Sequence, residues 1–245
     1  MNRTDTKEIC LSFDNGPEPE STPGVLAVLA RRRIPAMFFV IGEKLRDPKA
    51  RALAEKARDA GHVIGNHTLT HGAPLGRRSG SEALHEISET DALLGDLAAP
   101  ERYFRPNGGG GALGAHLLNG AAARHLLAQR ATIVLWNAVP GDFRDAQRWP
   151  ATAHAMLRAA REPVMLVLHD LPNGAMRHLD RFLGEVLDEG WRFRADPPPG
   201  CVPLRRGIPG PDFARYISMS EQSGSVYFEA GRTASGHAEA ITTRR

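Results

Sequence analysis

Cysteine is scarce in this chain. Its 245 residues hold two, Cys10 and Cys201, far apart and in no C-x-x-C pair. That excludes a disulfide framework and a cysteine-based zinc module, and both read as buried or incidental thiols of a reducing compartment. No apolar run is long enough to span a bilayer, so no membrane span is expected. The start, Met1 to Glu8, is charged and lacks an apolar h-region, which makes a cytoplasmic protein the expectation. Net charge is only +3 and no basic block is concentrated anywhere, so nucleic acid is not an expected partner. What remains, at 42% apolar and 24% charged residues, is an ordinary globular composition with enough length for one substantial core.

The pattern along the chain alternates short apolar runs with amphipathic segments at roughly the span of a βα unit. Strands are expected at Glu8–Phe13, Ala36–Ile41, His62–Gly65, Tyr103–Arg105, Thr132–Trp136, Val164–Leu168 and Trp191–Arg194. Helices are expected at Ser21–Arg33, Pro48–Ala60, Ser81–Leu97, Ala115–Gln129, Ala151–Ala160 and Met176–Glu189. The runs Ala36–Ile41 and Val164–Leu168 are apolar on both faces, as a covered parallel sheet requires. About seven strands, each but the last followed by a helix, argue for an α/β fold with a distorted parallel (β/α) barrel. Past Pro197-Pro198-Pro199-Gly200 the periodicity fails. Residues 1–200 therefore read as one folded domain, and 201–245 as a Gly/Arg/Ser-rich, poorly ordered tail with one short ordered piece at Ser225–Phe228.

Polar residues cluster where these strands end, the rim on which barrel active sites are built. Leu11-Ser12-Phe13 runs into Asp14-Asn15-Gly16-Pro17, and Val63-Ile64-Gly65 runs into Asn66-His67-Thr68-Leu69-Thr70-His71. Arg105 closes the fourth strand, Asp142 lies soon after the fifth, and His169-Asp170 follows the sixth. A carboxylate beside a His-x-x-x-His pair supplies the parts of a mononuclear metal hydrolase. Plainer readings exist for each residue. Asp14 could cap backbone N–H groups, Asn15 could be a turn residue, and Arg105 a surface ion pair. Phe38, Phe39 and Trp136 read as core more than as a sugar platform, and the remaining histidines stay unassigned.

On the Asp14 motif, the lead-in Ile34-Pro35-Ala36-Met37-Phe38-Phe39-Val40-Ile41-Gly42 and the segment Ala60–His71, the sequence resembles the polysaccharide deacetylases, the NodB homology domain of carbohydrate esterase family four. The likeness covers about residues 7–195, and the His67–His71 segment is its most specific part. The resemblance implies a distorted barrel and a role for each matching residue. Asp14 matches the general base, and His67 and His71 two metal ligands. Arg105 matches the arginine that holds the base ionised, His169 the general acid, and Asp142 the carboxylate that orients it. A backbone N–H of the Pro106–Gly108 turn, Gly108 foremost, would complete an oxyanion site. The cofactor implied is a divalent metal, zinc first, with cobalt, manganese or nickel as alternatives.

Three departures qualify that likeness. Asn15 stands where the family has an aspartate ligand; an amide oxygen can coordinate but is neutral, so weaker metal binding is expected. Asn107-Gly108-Gly109-Gly110-Gly111 replaces a Pro-aromatic-Gly sequence, and a bare, flexible groove wall is expected. Around Asp142, Val139 stands in place of an acid and Phe143 in place of a tryptophan. The sequence thus points to a metal-dependent hydrolase that removes N-acetyl groups from an amino sugar or its oligomer. Two rivals remain: hydrolysis of a cyclic imide, ureide or other small amide on the same fold, and a carbohydrate-binding pseudoenzyme.

Overall fold

A computed structural model describes residues 7–219. Seven parallel strands appear where the apolar runs place them: β1 Glu8–Asp14, β2 Ala36–Val40, β3 Val63–Asn66, β4 Tyr103–Phe104, β5 Thr132–Ile133, β6 Val164–His169 and β7 Arg192–Phe193. Six helices connect them: α1 Thr22–Arg32, α2 Pro48–Asp59, α3 Gly80–Leu94, α4 Gly120–Ala128, α5 Trp149–Ala159 and α6 Leu179–Asp188. The sheet runs β6-β1-β2-β3-β4-β5, with β7 pairing β1 at Glu8 and Ile9. It curls back on itself: Ala138, beyond β5, forms a parallel bridge to Leu166 of β6. The expected distorted barrel is what the chain forms, closed at one seam by that single bridge.

Alternation along β1 explains the layering. Ile9, Leu11 and Phe13 join a cluster with Phe38, Leu166, Leu168 and residues of α1 and α6, so this face packs under the helices. Cys10 faces the other way with Met37, Phe39, Met165 and Val167. Each large side chain removed from water this way contributes about 1.5–3 kcal/mol. The polar residues Ser12 and Asp14 share the Cys10 parity and so point to the barrel interior. Both cysteines are free and buried, and burial pushes their thiols to about 12 for Cys10 and about 11 for Cys201.

Local corrections are instructive. α3 begins earlier than expected because Ser79, not Ser81, caps it, in a reciprocal capping box with Glu82. The expected helix Ala115–Gln129 divides at Asn119, whose side chain accepts the Ala122 N–H and starts α4 afresh. Ser21 occupies the N-cap of α1 but makes no side-chain cap; its hydroxyl donates to the Asp170 carbonyl instead.

The domain does not end at residue 200. Leu204–Arg205 (β8) pairs antiparallel with β5, and Ile208–Pro209 (β9) folds back on it. Leu204 and Phe213 are fully buried and belong to the interior cluster. The edge of β5 would otherwise expose backbone groups, so β8 covers it. Glycine and proline here punctuate turns and do not mark disorder. The segment Ser225–Phe228 lies outside the described residues.

Candidate active site

Strand register assembles the site. Asp14, the last residue of β1, stands directly opposite His169 of β6 on one side and Phe39 of β2 on the other. Asn66, the last residue of β3, pairs Val40 and Phe104, so His67 and Arg105 leave their strands at the same level. Parallel strands that stop together deliver four chemically active side chains to one rim. An open cavity at that rim is lined by Asp14, Asn15, His67, His71, Gly108 and His169, among others. Arg105 lies behind Asp14 and Asp142 behind His169, so the structure brings every expected site residue together.

Arg105 is no surface residue. It is fully buried, its guanidinium lies 3.9 Å from the Phe39 ring centroid, and its Nε donates to the Val134 carbonyl at 3.0 Å. Its Nη1 donates to Ser12 Oγ at 2.7 Å and to Asp14 Oδ1 at 2.6 Å. Burial by itself would raise the Asp14 carboxyl; Arg105, helped by His67 and His169, outweighs it and holds the group below the ordinary carboxylate value. Asp14 is therefore an anion, which a strand-end cap would not need to be.

His67 donates from Nδ1 to the Arg105 carbonyl at 2.8 Å. Burial pulls its imidazole down to about 4, against the pull of Asp14, so the ring is neutral with a bare Nε2. That nitrogen faces Asp14 Oδ2 at 3.6 Å. The spacing alone would suggest an ion pair, but a neutral ring makes it two lone-pair donors facing each other. His71 is likewise shifted down, first by burial, and its ring centroid is 4.9 Å from that of His67. Asn15 adopts φ 74°, a left-handed conformation that asparagine tolerates, and its buried Oδ1 has no hydrogen-bond partner.

Two neutral imidazoles and an orphaned amide oxygen, beside a carboxylate, form a donor set that suits a divalent cation. The backbone carbonyl on His67 Nδ1 fixes its tautomer as metal-binding histidines require. Among the described residues no group of three or more His, Cys, Asp or Glu side chains is placed to hold a metal. Asn15 is outside that set of residue types, which leaves two imidazoles from it in the trio.

Across the cavity, Asp142 is fully buried and accepts twice from His169: Oδ1 from the ring Nδ1 at 3.0 Å, Oδ2 from the backbone N–H at 2.7 Å. Burial lowers the His169 pKa, but the Asp142 hydrogen bond and charge, with Asp14 and Asp170, raise it above the ordinary imidazole value. Phe143 meets the ring edge-on at 4.8 Å between centroids. Asn173 ties down the loop by donating to the Asp142 carbonyl at 3.0 Å.

The groove wall differs from expectation. The glycine stretch is pinned: Trp136 Nε1 donates to Gly111 O at 2.9 Å, Arg144 to Gly110 O at 3.1 Å, and Asn107 Oδ1 accepts the Gly109 N–H at 2.9 Å. His116 pairs with Gly108 O at 3.2 Å. Gly109, Gly110 and Gly111 all have φ between 58° and 113°, which is why glycine fills them. Trp136 is 7% exposed and lines the cavity, so it serves the site as well as the core. Sequence reading missed Ser12, Asn107, His116 and Asn173. Only Asn107 and Ser12 stood inside the motifs that could have flagged them.

Comparisons with known proteins place the chain among known relatives. The family model described as "Polysaccharide deacetylase" matches residues 1–122. A chitooligosaccharide deacetylase of Rhizobium leguminosarum bv. trifolii is 33% identical over 168 residues, 68% of this chain and 73% of its own. A solved peptidoglycan N-acetylglucosamine deacetylase, in complex with 4-naphthalen-1-yl-N-oxidanyl-benzamide, is 27% identical with TM-score 0.63, covering 78% of this chain and 86% of that one. A family 4 acetyl xylan esterase from Clostridium thermocellum, solved in complex with a cobalt ion, shares the fold at 22% identity and TM-score 0.62, covering 76% and 87% of the two chains. With the strand-end residues converging as they do and a relative this similar over most of its length, the chain is a hydrolase belonging to the polysaccharide deacetylase family.

Proposed function

We propose that this enzyme removes N-acetyl groups from an amino sugar or its oligosaccharide with the help of a divalent cation. The observation that carries the reading is the Asp14 carboxylate, ion-paired on one oxygen with buried Arg105 and facing the bare Nε2 of His67 with the other. The relatives' names, chitooligosaccharide and peptidoglycan deacetylases, support that substrate class.

His67, His71 and Asn15 would hold the cation, zinc or cobalt best suiting imidazole donors, and it would polarise the acetyl carbonyl and acidify water. Asp14, kept anionic by Arg105, accepts the proton of the attacking water. His169, kept protonated by Asp142, donates from Nε2 to the departing sugar nitrogen. Gly108 lines the cavity, and its backbone N–H would stabilise the developing oxyanion. Trp136, Val139, Phe143 and Val167 form the apolar lining against which an acetyl methyl group packs.

Asn15 favours a second reading, a protein that binds saccharide without turnover, because a neutral ligand weakens the hold on the cation. One assay separates these. Acetate release from chitooligosaccharides should vanish on chelation and return with added zinc or cobalt. Saccharide binding with no release under any metal would establish the second reading. Release only from cyclic imides or small amides would move the substrate outside carbohydrates.

A further inference from the structure

Resting on the cation reading above, we propose that Glu86 is a positioning residue that sets the separation of His67 and His71 through the backbone between them. Glu86 lies on α3, outside the cavity, and is 3% exposed. One carboxylate oxygen, Oε2, accepts the Leu69 N–H and the Thr70 N–H, each at 2.9 Å. The other, Oε1, accepts the Thr70 hydroxyl at 2.6 Å and faces Arg78 Nη1 at 3.2 Å.

The loop it grips needs such a clamp. Five residues from His67 to His71 must turn both imidazoles into one space, and they do so with two non-glycine residues in the left-handed region, Thr68 at φ 68° and His71 at φ 52°. A turn that tight points the Leu69 and Thr70 N–H groups away from the cavity, where no strand or helix partner exists for them. A buried amide without a partner costs about 1–3 kcal/mol, so these two would reopen the turn if unpaired. Glu86 satisfies both with one oxygen.

Neighbouring contacts hold the loop ends and its carbonyls but leave the Leu69 and Thr70 N–H groups to Glu86. Asn66 Oδ1 accepts the Thr68 N–H at 2.8 Å while its Nδ2 donates to Ile87 O and Asp91 Oδ1 on α3. Asn107 Nδ2 donates to the His71 carbonyl at 3.2 Å on the far side. Between the ligands the Thr68 and Leu69 carbonyls accept from the Gly42 and Glu43 N–H groups at 3.0 Å each, and Glu86 takes the two N–H groups that remain, those of Leu69 and Thr70. Its carboxylate meets four donors and never approaches a reacting atom, so its effect on chemistry passes through the histidines.

The test is cobalt(II) titration of metal-free protein, read by visible absorption, with circular dichroism in parallel. Glu86→Ala should weaken cobalt affinity about 10–100-fold with helix content retained. Glu86→Gln keeps the shape and one acceptor but turns an amide toward Thr70 and Arg78. It should lose only about several-fold, and it carries the test should the alanine variant not fold. Ile87→Val, a core trim one position along α3, serves as the stability control and should bind cobalt as the parent does. Unchanged affinity in both Glu86 variants overturns the proposal, as does equal weakening in Ile87→Val. A parent protein that binds no cobalt would remove the cation reading itself, and this role with it.

Discussion

Asp142 holds His169 at two points, the imidazole Nδ1 at 3.0 Å and the backbone N–H at 2.7 Å, so one buried carboxylate sets both the ring's orientation and its charge. The consequence is a pH dependence with a definite sign. His169 acts only when protonated, and its pKa lies above the ordinary imidazole value. Activity should therefore persist to higher pH than an unassisted histidine permits and fall as pH rises through the shifted value. Asp142→Asn should move that alkaline limb to lower pH, and a kcat–pH profile of both proteins checks it.

Arg105 and Asp14 govern the acid limb in the opposite sense. Asp14 must be ionised to accept a proton, and Arg105 keeps it so below the ordinary carboxylate value. Arg105→Met should shift the acid limb upward. It should also cost about 3–5 kcal/mol of stability by leaving a buried charge unpaired. Denaturant unfolding with the pH profile tests both parts.

Asp14→Asn should lower kcat by about 10²–10⁴-fold while the fold persists, because an amide oxygen still accepts from Arg105. Acetate release with circular dichroism is the check; undiminished turnover would remove Asp14 from its role as base.

Gly108 lies so close to Trp136 that an added Cβ would sit 2.6 Å from Cζ2 of the indole. Gly108→Ala should displace the pinned loop, costing about 1–3 kcal/mol. It should also raise KM for oligosaccharides more than it lowers thermal stability would suggest, which steady-state kinetics can read.

Much of this site is legible in the residues because each strand ends in an uninterrupted switch from apolar to polar. Asp14, His67, Arg105 and His169 are all placed that way. Asp142 could be placed as well, though nothing in Val139–Phe143 announces that it is fully buried. The pinning of Gly108–Gly111 could not be read: Trp136, Arg144 and His116 approach it from three separate segments, and no local pattern encodes that convergence. The same holds for β8, whose pairing with β5 depends on an exposed strand edge more than 65 residues upstream, a relation that periodicity does not carry. Glu86 sits within the amphipathic α3, and only the loop packed against it shows what its carboxylate does.

Asn15→Asp should tighten metal binding by about tenfold or more, since ligand charge sets affinity and the position already tolerates its left-handed backbone. Equal affinities would place Asn15 outside the coordination sphere.

The most direct measurement is a crystal structure of the protein grown with zinc or cobalt, read by anomalous scattering. The account predicts one strong peak bounded by His67 Nε2, the His71 ring and Asn15 Oδ1, beside the Asp14 carboxylate. Imidazoles turned apart with no peak between them would contradict it.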